Sequence, residues 1–536
     1  MERFKTLESV AVGRRNNYDI MRFIAAILVI YDHSYPLGAG IGGGDAIAVL
    51  THGKWNSGAL GVAIFFIISG FLITQSYERS KNIFIFAKAR FLRIYPALIV
   101  AILLSAFVLG TLVTSLPTGE YLTNSQTYQY VKALLLYPMQ WNLPGVFEGN
   151  VYKNSVNGSL WTIPFEVLCY GIVAIAGILG MLRYKTFMVV LFSLTLFVYF
   201  FYDQIWPFGK QIFGLQVIDL CQLFCYFSAG MMMYIFRAYI PMNKYFAMFC
   251  VVILYLAANY GGLKEFFIIF GSYLTLYVAY ITIWKFAEFS RLGDFSYGMY
   301  IYAFPVQQAV TYYHGGSMSA PLNFLYSFFI TLLLSVLSWH LIEKRALALK
   351  KQRFVPEAFV PGVFVTTWTN IARGYAYVLD KLAGIRWWQF AAVFVLLVIA
   401  AHFYNEKPAI VTFPYTKSES IFSGGWHPQS PDEAYRWINT SASVQLSKPA
   451  DAHNVIVEGF VPEAFKEIHH VRLLLNNKQV AEQDISAGQS LQLQAPVHDN
   501  LSSYTITIMF DGAHQPGAQD ADQRVMSALV SRIAFH

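Results

Sequence analysis

Long apolar runs, each bounded by polar or basic residues, fill the first two thirds of the chain. A helix rises ~1.5 Å per residue, so crossing a hydrocarbon core of about 30 Å takes about 20 apolar residues. Runs that approach this length stand at roughly 18–37, 59–77, 94–115, 160–182, 186–203, 217–236, 245–260, 266–285, 296–313 and 322–342, with a last one near 386–404. Tyr128 to Met139 is too short to cross and reads as interfacial or re-entrant. From about 406 the pattern changes to short strand-like runs: Asn454 to Phe460, Val471 to Leu475, Ser490 to Leu493 and Tyr504 to Phe510. Asn476-Asn477 and Asp511-Gly512 punctuate them as turns, which predicts a β-sandwich of about 125 residues.

The predicted fold class is therefore an α-helical polytopic membrane protein, with about 10 core spans plus one extra span, and a C-terminal all-β domain. Residues 1–347 form the membrane domain and 348–385 a cytoplasmic linker with amphipathic segments, among them Asn370 to Ala383. Residues 386–404 form the extra helix and 405–536 a periplasmic domain.

Composition supports this division. Only 13% of the 536 residues are charged, against 56% hydrophobic, and a soluble protein carries about twice that charge. Basic residues cluster in alternate connections: Arg3, Lys5, Arg14 and Arg15, then Arg79 to Arg93, Arg183 and Lys185, Arg237 and Lys244, Lys285 and Arg291, and Lys344 to Arg353. Leu116 to Asn157 holds only Lys132 and Lys153. The asymmetry predicts a cytoplasmic N-terminus and a C-terminal domain on the far side. It also accounts for the net charge of +7 without a nucleic-acid partner. Met1 to Asn17 lacks a small-residue cleavage site, so the first span is expected to act as its own anchor. Cys221 and Cys225 sit one turn apart with no His or carboxylate beside them, and no metal is expected.

Ionisable residues inside spans carry the candidate chemistry. Arg22 and His33 are eleven residues apart in the first run, which puts them on one helix face about 16 Å apart. Each costs roughly 2.5–3.5 kcal/mol to insert, which makes a functional site the default hypothesis. Arg90 and Arg93, at i and i+3, can fork onto phosphate oxygens or serve as topology anchors. Ser159, Thr162 and Glu166 share a face at the entry to the fourth span. Glu166 is there either to work with a His or to pair with an Arg. Ser69-Gly70, within Phe65 to Leu72, fits close helix packing better than catalysis.

These motifs, taken together, resemble the membrane acyltransferase-3 family. The likeness runs in order over about residues 15–347: Arg22 and His33, Phe65 to Leu72, Arg90-x-x-Arg93 with Tyr95-Pro96, and Ser159-Leu160-Trp161 with Glu166. Ser296-Tyr297-Gly298-Met299-Tyr300 and Ser338 to Lys344 complete it. Many members carry a His after Tyr300 and Tyr302; here Ala303 and Phe304 follow, so no role is carried to that place. The resemblance implies a bacterial inner-membrane O-acyltransferase that moves an acyl group, usually acetyl from acetyl-CoA, onto cell-surface carbohydrate such as lipopolysaccharide.

On that reading Arg22, Arg90 and Arg93 bind the phosphates of coenzyme A, and His33 is the general base. Asp32 or Glu166 orients its imidazole, Glu166 being better placed because Asp32 points about 100° away from its helical neighbour. Ser159, Trp161 and Ser69 contact substrate, and an acyl-enzyme on Ser69, Ser159 or His33 remains open. The expected partners are membrane lipids and a periplasmic carbohydrate acceptor. The alternative is a non-catalytic transporter or flippase of lipid-linked glycans, whose arginines hold a pyrophosphate. A scaffold of a polysaccharide synthase complex would leave the buried charges without a purpose.

Some family members append a Gly-Asp-Ser hydrolase-like domain, and this chain has no such motif. Its C-terminal part resembles instead the β-sandwich of some membrane glycosyltransferases, through Gly425-Trp426-His427-Pro428, Tyr435-Arg436-Trp437 and Ser531-Arg532-Ile533. Its role is expected to be acceptor recognition. Trp426, Tyr435 and Trp437 either stack on sugar rings or fill the sandwich core.

Overall fold

A computed structural model describes residues 5–11, 16–40, 44–51, 53, 55–153, 155–205, 211–212, 215–281, 286–291, 293–351, 408–415, 421–427, 433–449, 452–463, 469–497, 503–512 and 526–536. The expected extra span, the amphipathic stretch and most of the linker lie outside the described residues. The chain divides into two compact units, one helical and one β.

Among the described residues seven helices are long and apolar enough to cross a membrane: Tyr18–Ala39, Ser57–Ser80, Ile83–Val113, Gly158–Ile178, Val217–Ile235, Leu263–Tyr280 and Ala320–Ala348. The sequence pattern predicts ten in this region. Two of the others, Lys185–Phe200 and Lys244–Tyr260, are shorter apolar helices. The third, Ser296–Tyr313, is diluted by Gln307, Gln308 and five tyrosines. The helices are numbered α1 (Tyr18–Ser34), α2 (Ser57–Ser80), α3 (Ile83–Leu103), α4 (Ile163–Ile178) and α5 (Lys185–Phe200). They continue with α6 (Val217–Ile235), α7 (Lys244–Tyr260), α8 (Leu263–Tyr280), α9 (Ser296–Tyr313) and α10 (Ala320–Ser338). Tyr128 to Met139 contains only the end of a short helix and the 3-10 turn Tyr130–Leu135.

The third helix starts well before the apolar run that predicts it. Lys81 takes a left-handed φ of 47° and ends α2, and the Asn82 side chain then accepts from the backbone N–H of Phe84 and Ile85. That cap opens α3 at Ile83, so Arg90 and Arg93 sit inside a helix and not in the connection before it. A hydropathy reading stops at the charges. The helix continues through them because Phe86 and Ala89 are buried on its inner face.

Helix α2 runs through the middle of the unit, and glycines set how near its neighbours come. A Cβ on Gly70 would stand 1.9 Å from the Phe227 carbonyl oxygen, and one on Gly230 2.1 Å from that of Ile67. Each glycine thus admits the other helix's backbone, the small-residue contact by which membrane helices associate. Gly70→Ala is expected to force α2 and α6 apart at a cost of about 1–3 kcal/mol. A thermal melt of the purified variant in detergent, unchanged from wild type, would refute this contact.

The β unit consists of two antiparallel sheets. Its strands are β1 (Ile410–Thr412), β2 (Phe422–Ser423), β3 (Arg436–Ile438), β4 (Ser441–Ser447) and β5 (Asn454–Phe460), then β6 (His469–Leu475), β7 (Lys478–Ile485), β8 (Ser490–Pro496), β9 (Ser503–Phe510) and β10 (Ala528–Phe535). One sheet runs β8–β5–β10–β1 with β3 also on β10, and the other β2–β4–β9–β6–β7. Alternate residues of both sheets, such as Val455, Val457, Val471 and Leu473, share one core. Trp426 and Trp437 pack against that core. Trp426 Nε1 donates to the Ser443 carbonyl at 2.7 Å, and the Arg436 guanidinium lies 4.6 Å from the Phe422 ring centroid. Packing thus accounts for these two tryptophans.

Candidate active site

A cavity of about 120 Å³ opens between α1, α2, α3, α4 and α9. Arg22, Ser69, Arg90, Arg93, Thr162, Glu166, Tyr170, Tyr297 and Tyr300 are among the residues that line it. The structure therefore brings all three predicted arginines together, and adds Ser69 and Glu166. Ser69, for which the sequence reading gives both close helix packing and substrate contact, faces this cavity.

The three guanidiniums differ in their surroundings. Asp294, two residues ahead of the Ser296-Tyr297 motif, has one oxygen 2.7 Å from Arg93 Nη2 and 3.5 Å from Arg22 Nη1. Its other oxygen accepts from the Ser296 hydroxyl at 2.6 Å. Burial pushes the Asp294 carboxyl up, but the Arg93 and Arg22 charges outweigh this and hold it below the usual carboxylate range. Arg22 also meets Asp19 at 3.3 Å, and Arg93 meets the buried Glu343 at 3.7 Å. Among the described residues Arg90 has no carboxylate within 4.0 Å, and its Nε is buried without a partner. Its guanidinium rests instead 5.8 Å from the Tyr170 ring centroid. Lys350, beyond α10, lies near enough that partial desolvation and the Arg90 charge both push its ammonium below the usual range.

Glu166 accepts a hydrogen bond from the Tyr170 hydroxyl, one turn along α4, and Ser69 lines the same cavity. Thr162 Oγ1 and the Tyr300 hydroxyl are 2.6 Å apart. Glu166 thus faces the cavity with Tyr170 and Arg90, and this engagement argues against the role expected for it at the imidazole. Tyr170 and Asp294 were missed. The first was legible as the i+4 neighbour of Glu166; the second becomes apparent only once the fold joins it to residues 201 positions away.

His33 is absent from the cavity lining and lies against the next turn of α9. Tyr300 lines the cavity, and four residues on, about 6 Å along the helix, the Phe304 ring meets the His33 ring edge to face at 5.4 Å. His33 Nδ1 is buried and has no hydrogen-bond partner, so neither Asp32 nor Glu166 orients it through that atom. The surroundings of Asp32 are visible on the connection between α1 and α2. The Asp32 carboxyl lies beside that of Asp45, while Asp45 accepts from the Ala48 N–H at 2.8 Å and from the Ser57 N–H and hydroxyl at 2.7 and 2.6 Å. Burial pushes Asp45 up, and the hydrogen bonds from Ser57 and Ala48 more than offset it, leaving it below the usual range. Just past His33, α1 loosens into a π-helical turn, Tyr35–Ala39, at Pro36, a feature frequent at functional sites.

The entry to α4 is fastened beside this ring. Pro305 has no N–H to give the Ile301 carbonyl one turn back, and Asn157 Nδ2 donates to that carbonyl at 2.8 Å. Ser159 is fully buried in the 3-10 turn Gly158–Thr162. Trp161 stands half-buried, edge-on to Phe165.

A multi-pass helical membrane protein with this arrangement has relatives. Residues 15–340 match the acyltransferase-3 family, described as an acyltransferase domain. The chain is 30% identical to the O-acetyl transferase of Shigella phage Sf6 over 348 residues, 62% of this chain and 96% of the relative. It is 36% identical to nodulation protein 10 of Rhizobium leguminosarum bv. viciae over 166 residues, 30% of this chain and 43% of that protein. No solved structure matches. The chain belongs to the acyltransferase-3 family, and it is an acyltransferase.

Proposed function

We propose that this protein transfers an acetyl group from acetyl-CoA to a hydroxyl of a cell-surface or lipid-linked carbohydrate, across a bacterial inner membrane. The observation that carries the reading is a guanidinium-lined cavity one helical turn from an imidazole with an unpartnered buried nitrogen. The relative named an O-acetyl transferase supports the acetyl group, and the resemblance of the motifs supports the carbohydrate. The basic connections argue for a donor on the cytoplasmic side and an acceptor from the other.

Arg90, unpaired and beside Lys350, is the cation best suited to a phosphate of the donor. The acetyl end of the donor would enter the cavity that Arg90 lines, with the nucleotide toward the basic connections. The acceptor hydroxyl gives its proton to a His33 nitrogen as its oxygen attacks the thioester carbonyl. The new C–O bond forms, the C–S bond breaks, and the thiolate takes the proton from the imidazolium. Ester and free thiol are the products. The C-terminal domain would present the acceptor and contribute no chemistry.

Purified full-length protein given acetyl-CoA and a glycan acceptor should form the ester and release coenzyme A in equal amounts. Ester formation without an equal release of coenzyme A would rule out acetyl-CoA as the direct donor. Arg90→Ala is expected to raise the donor KM by about tenfold, equivalent to ~1.4 kcal/mol, with the acceptor KM unchanged. Arg90→Lys should recover only part, because a point charge cannot reproduce two parallel hydrogen bonds. An unchanged donor KM would leave Arg90 as an anchor only.

A further inference from the structure

Three buried side-chain atoms around one aromatic ring lack partners: His33 Nδ1, Asn157 Oδ1 and Ser159 Oγ. Asn157 and Ser159 are 1% and 0% exposed. They flank Gly158, where a Cβ would come within 2.5 Å of the Phe304 ring, and that ring meets His33 at 5.4 Å. The Asn157 amide is not free to turn. Its Nδ2 is committed to the Ile301 carbonyl, so Oδ1 is the end left to accept.

The segment that carries these atoms is firmly held. Gln308 Nε2 donates to the Tyr152 and Ser155 carbonyls at 2.9 and 2.8 Å, and Asn150 Nδ2 donates to Gln308 Oε1 at 2.8 Å. Tyr152 also packs edge to face on Phe304, with centroids 6.0 Å apart. An unpaired buried polar atom costs about 1–3 kcal/mol, and folded proteins leave few of them. Three such atoms on a fixed frame describe a ligand site. Its chemistry is specific: Asn157 Oδ1 accepts, Ser159 Oγ donates or accepts, and an imidazole nitrogen without a proton accepts. What fits is a pair of neighbouring O–H groups.

We propose that Asn157 and Ser159, beside Phe304 and His33, form the acceptor subsite and select a sugar with two adjacent hydroxyls. The hydroxyl that becomes acylated donates to His33. Its neighbour donates to Asn157 Oδ1 and is met by the Ser159 hydroxyl. The proposal rests on the acetyl-transfer reading above and adds which acceptor that reaction takes.

The test is kinetic and uses the full-length protein with acetyl-CoA. Acceptors are the methyl α-hexopyranosides of the gluco, galacto and manno series and their monodeoxy analogues. For the best acceptor, removing the hydroxyl next to the acylated one should lower kcat/KM at least tenfold in the wild type. Ser159→Ala removes a hydroxyl with no internal hydrogen bond, so it should fold at least as well as wild type. It should nonetheless lower kcat/KM for the parent glycoside about tenfold, and the deoxy penalty should shrink to threefold or less. The donor KM should stay within twofold. Asn157→Leu should act in the same direction, with monodispersity on size exclusion as the check on folding. Equal use of the parent and its neighbouring-deoxy analogue by the wild type overturns the subsite alone. So does a Ser159→Ala enzyme with wild-type acceptor kinetics. Absence of transfer to any glycoside by the wild type overturns the acetyl-transfer reading itself.

Discussion

His33→Ala is expected to lower acetyl transfer about 10²–10⁴-fold, the range associated with a positioned general base. It should leave the protein folded and inserted. His33 makes no hydrogen bond at Nδ1, so its removal strands no partner. What is lost is a ring contact with Phe304, and Phe304 keeps its contact with Tyr152. The measurement is coenzyme A release and ester formation by purified protein, set beside its size-exclusion profile. A folded His33→Ala protein that acetylates at the wild-type rate would rule out imidazole base catalysis.

Arg93→Ala should produce a different kind of loss. Sequence reasoning made Arg93 a donor ligand with Arg90, whereas the structure ties it to Asp294 at 2.7 Å and to Glu343 at 3.7 Å. Truncating it leaves Glu343, 2% exposed, without a cation within 4.0 Å among the described residues and Asp294 with only Arg22 at 3.5 Å, and breaking a buried pair in this way costs about 3–5 kcal/mol. The expected outcome is a lower melting temperature and a smaller folded fraction, not a simple rise in donor KM. Adding Glu343→Gln to Arg93→Ala should recover part of the loss, because the stranded charge is gone while Asp294 keeps Arg22. A variant as stable as wild type, changed only in donor affinity, would return Arg93 to the role first expected of it.

These two arginines show what was legible in the chain. The helices follow from apolar run lengths and the strands of the C-terminal unit from their alternation; His469–Leu475 buries every second residue. The Arg22 and His33 stripe follows from helical geometry alone. The ion pairs do not, since Arg93 and Asp294 are 201 residues apart and periodicity reports only local neighbours. Glu166 was singled out for its place in an apolar stretch, but its partner proved to be Tyr170 one turn away, not the distant imidazole. For Asp32, helical geometry already argues against contact with the adjacent His33, and its carboxyl lies instead beside that of Asp45.

The long reach of the Arg93 pairs also bears on how the protein is made. Helices α1 and α3 leave the ribosome well before Asp294 or Glu343 exists, and Arg22 then has only its local neighbour Asp19 for compensation. Each guanidinium must be accepted by the bilayer at roughly 2.5–3.5 kcal/mol, a cost relieved only when the chain from 294 to 343 arrives. Integration of the early helices and their locking together are therefore separate events in time. The helical segment Ala320–Ala348 delivers Glu343 and completes the counter-charges of helices inserted hundreds of residues earlier.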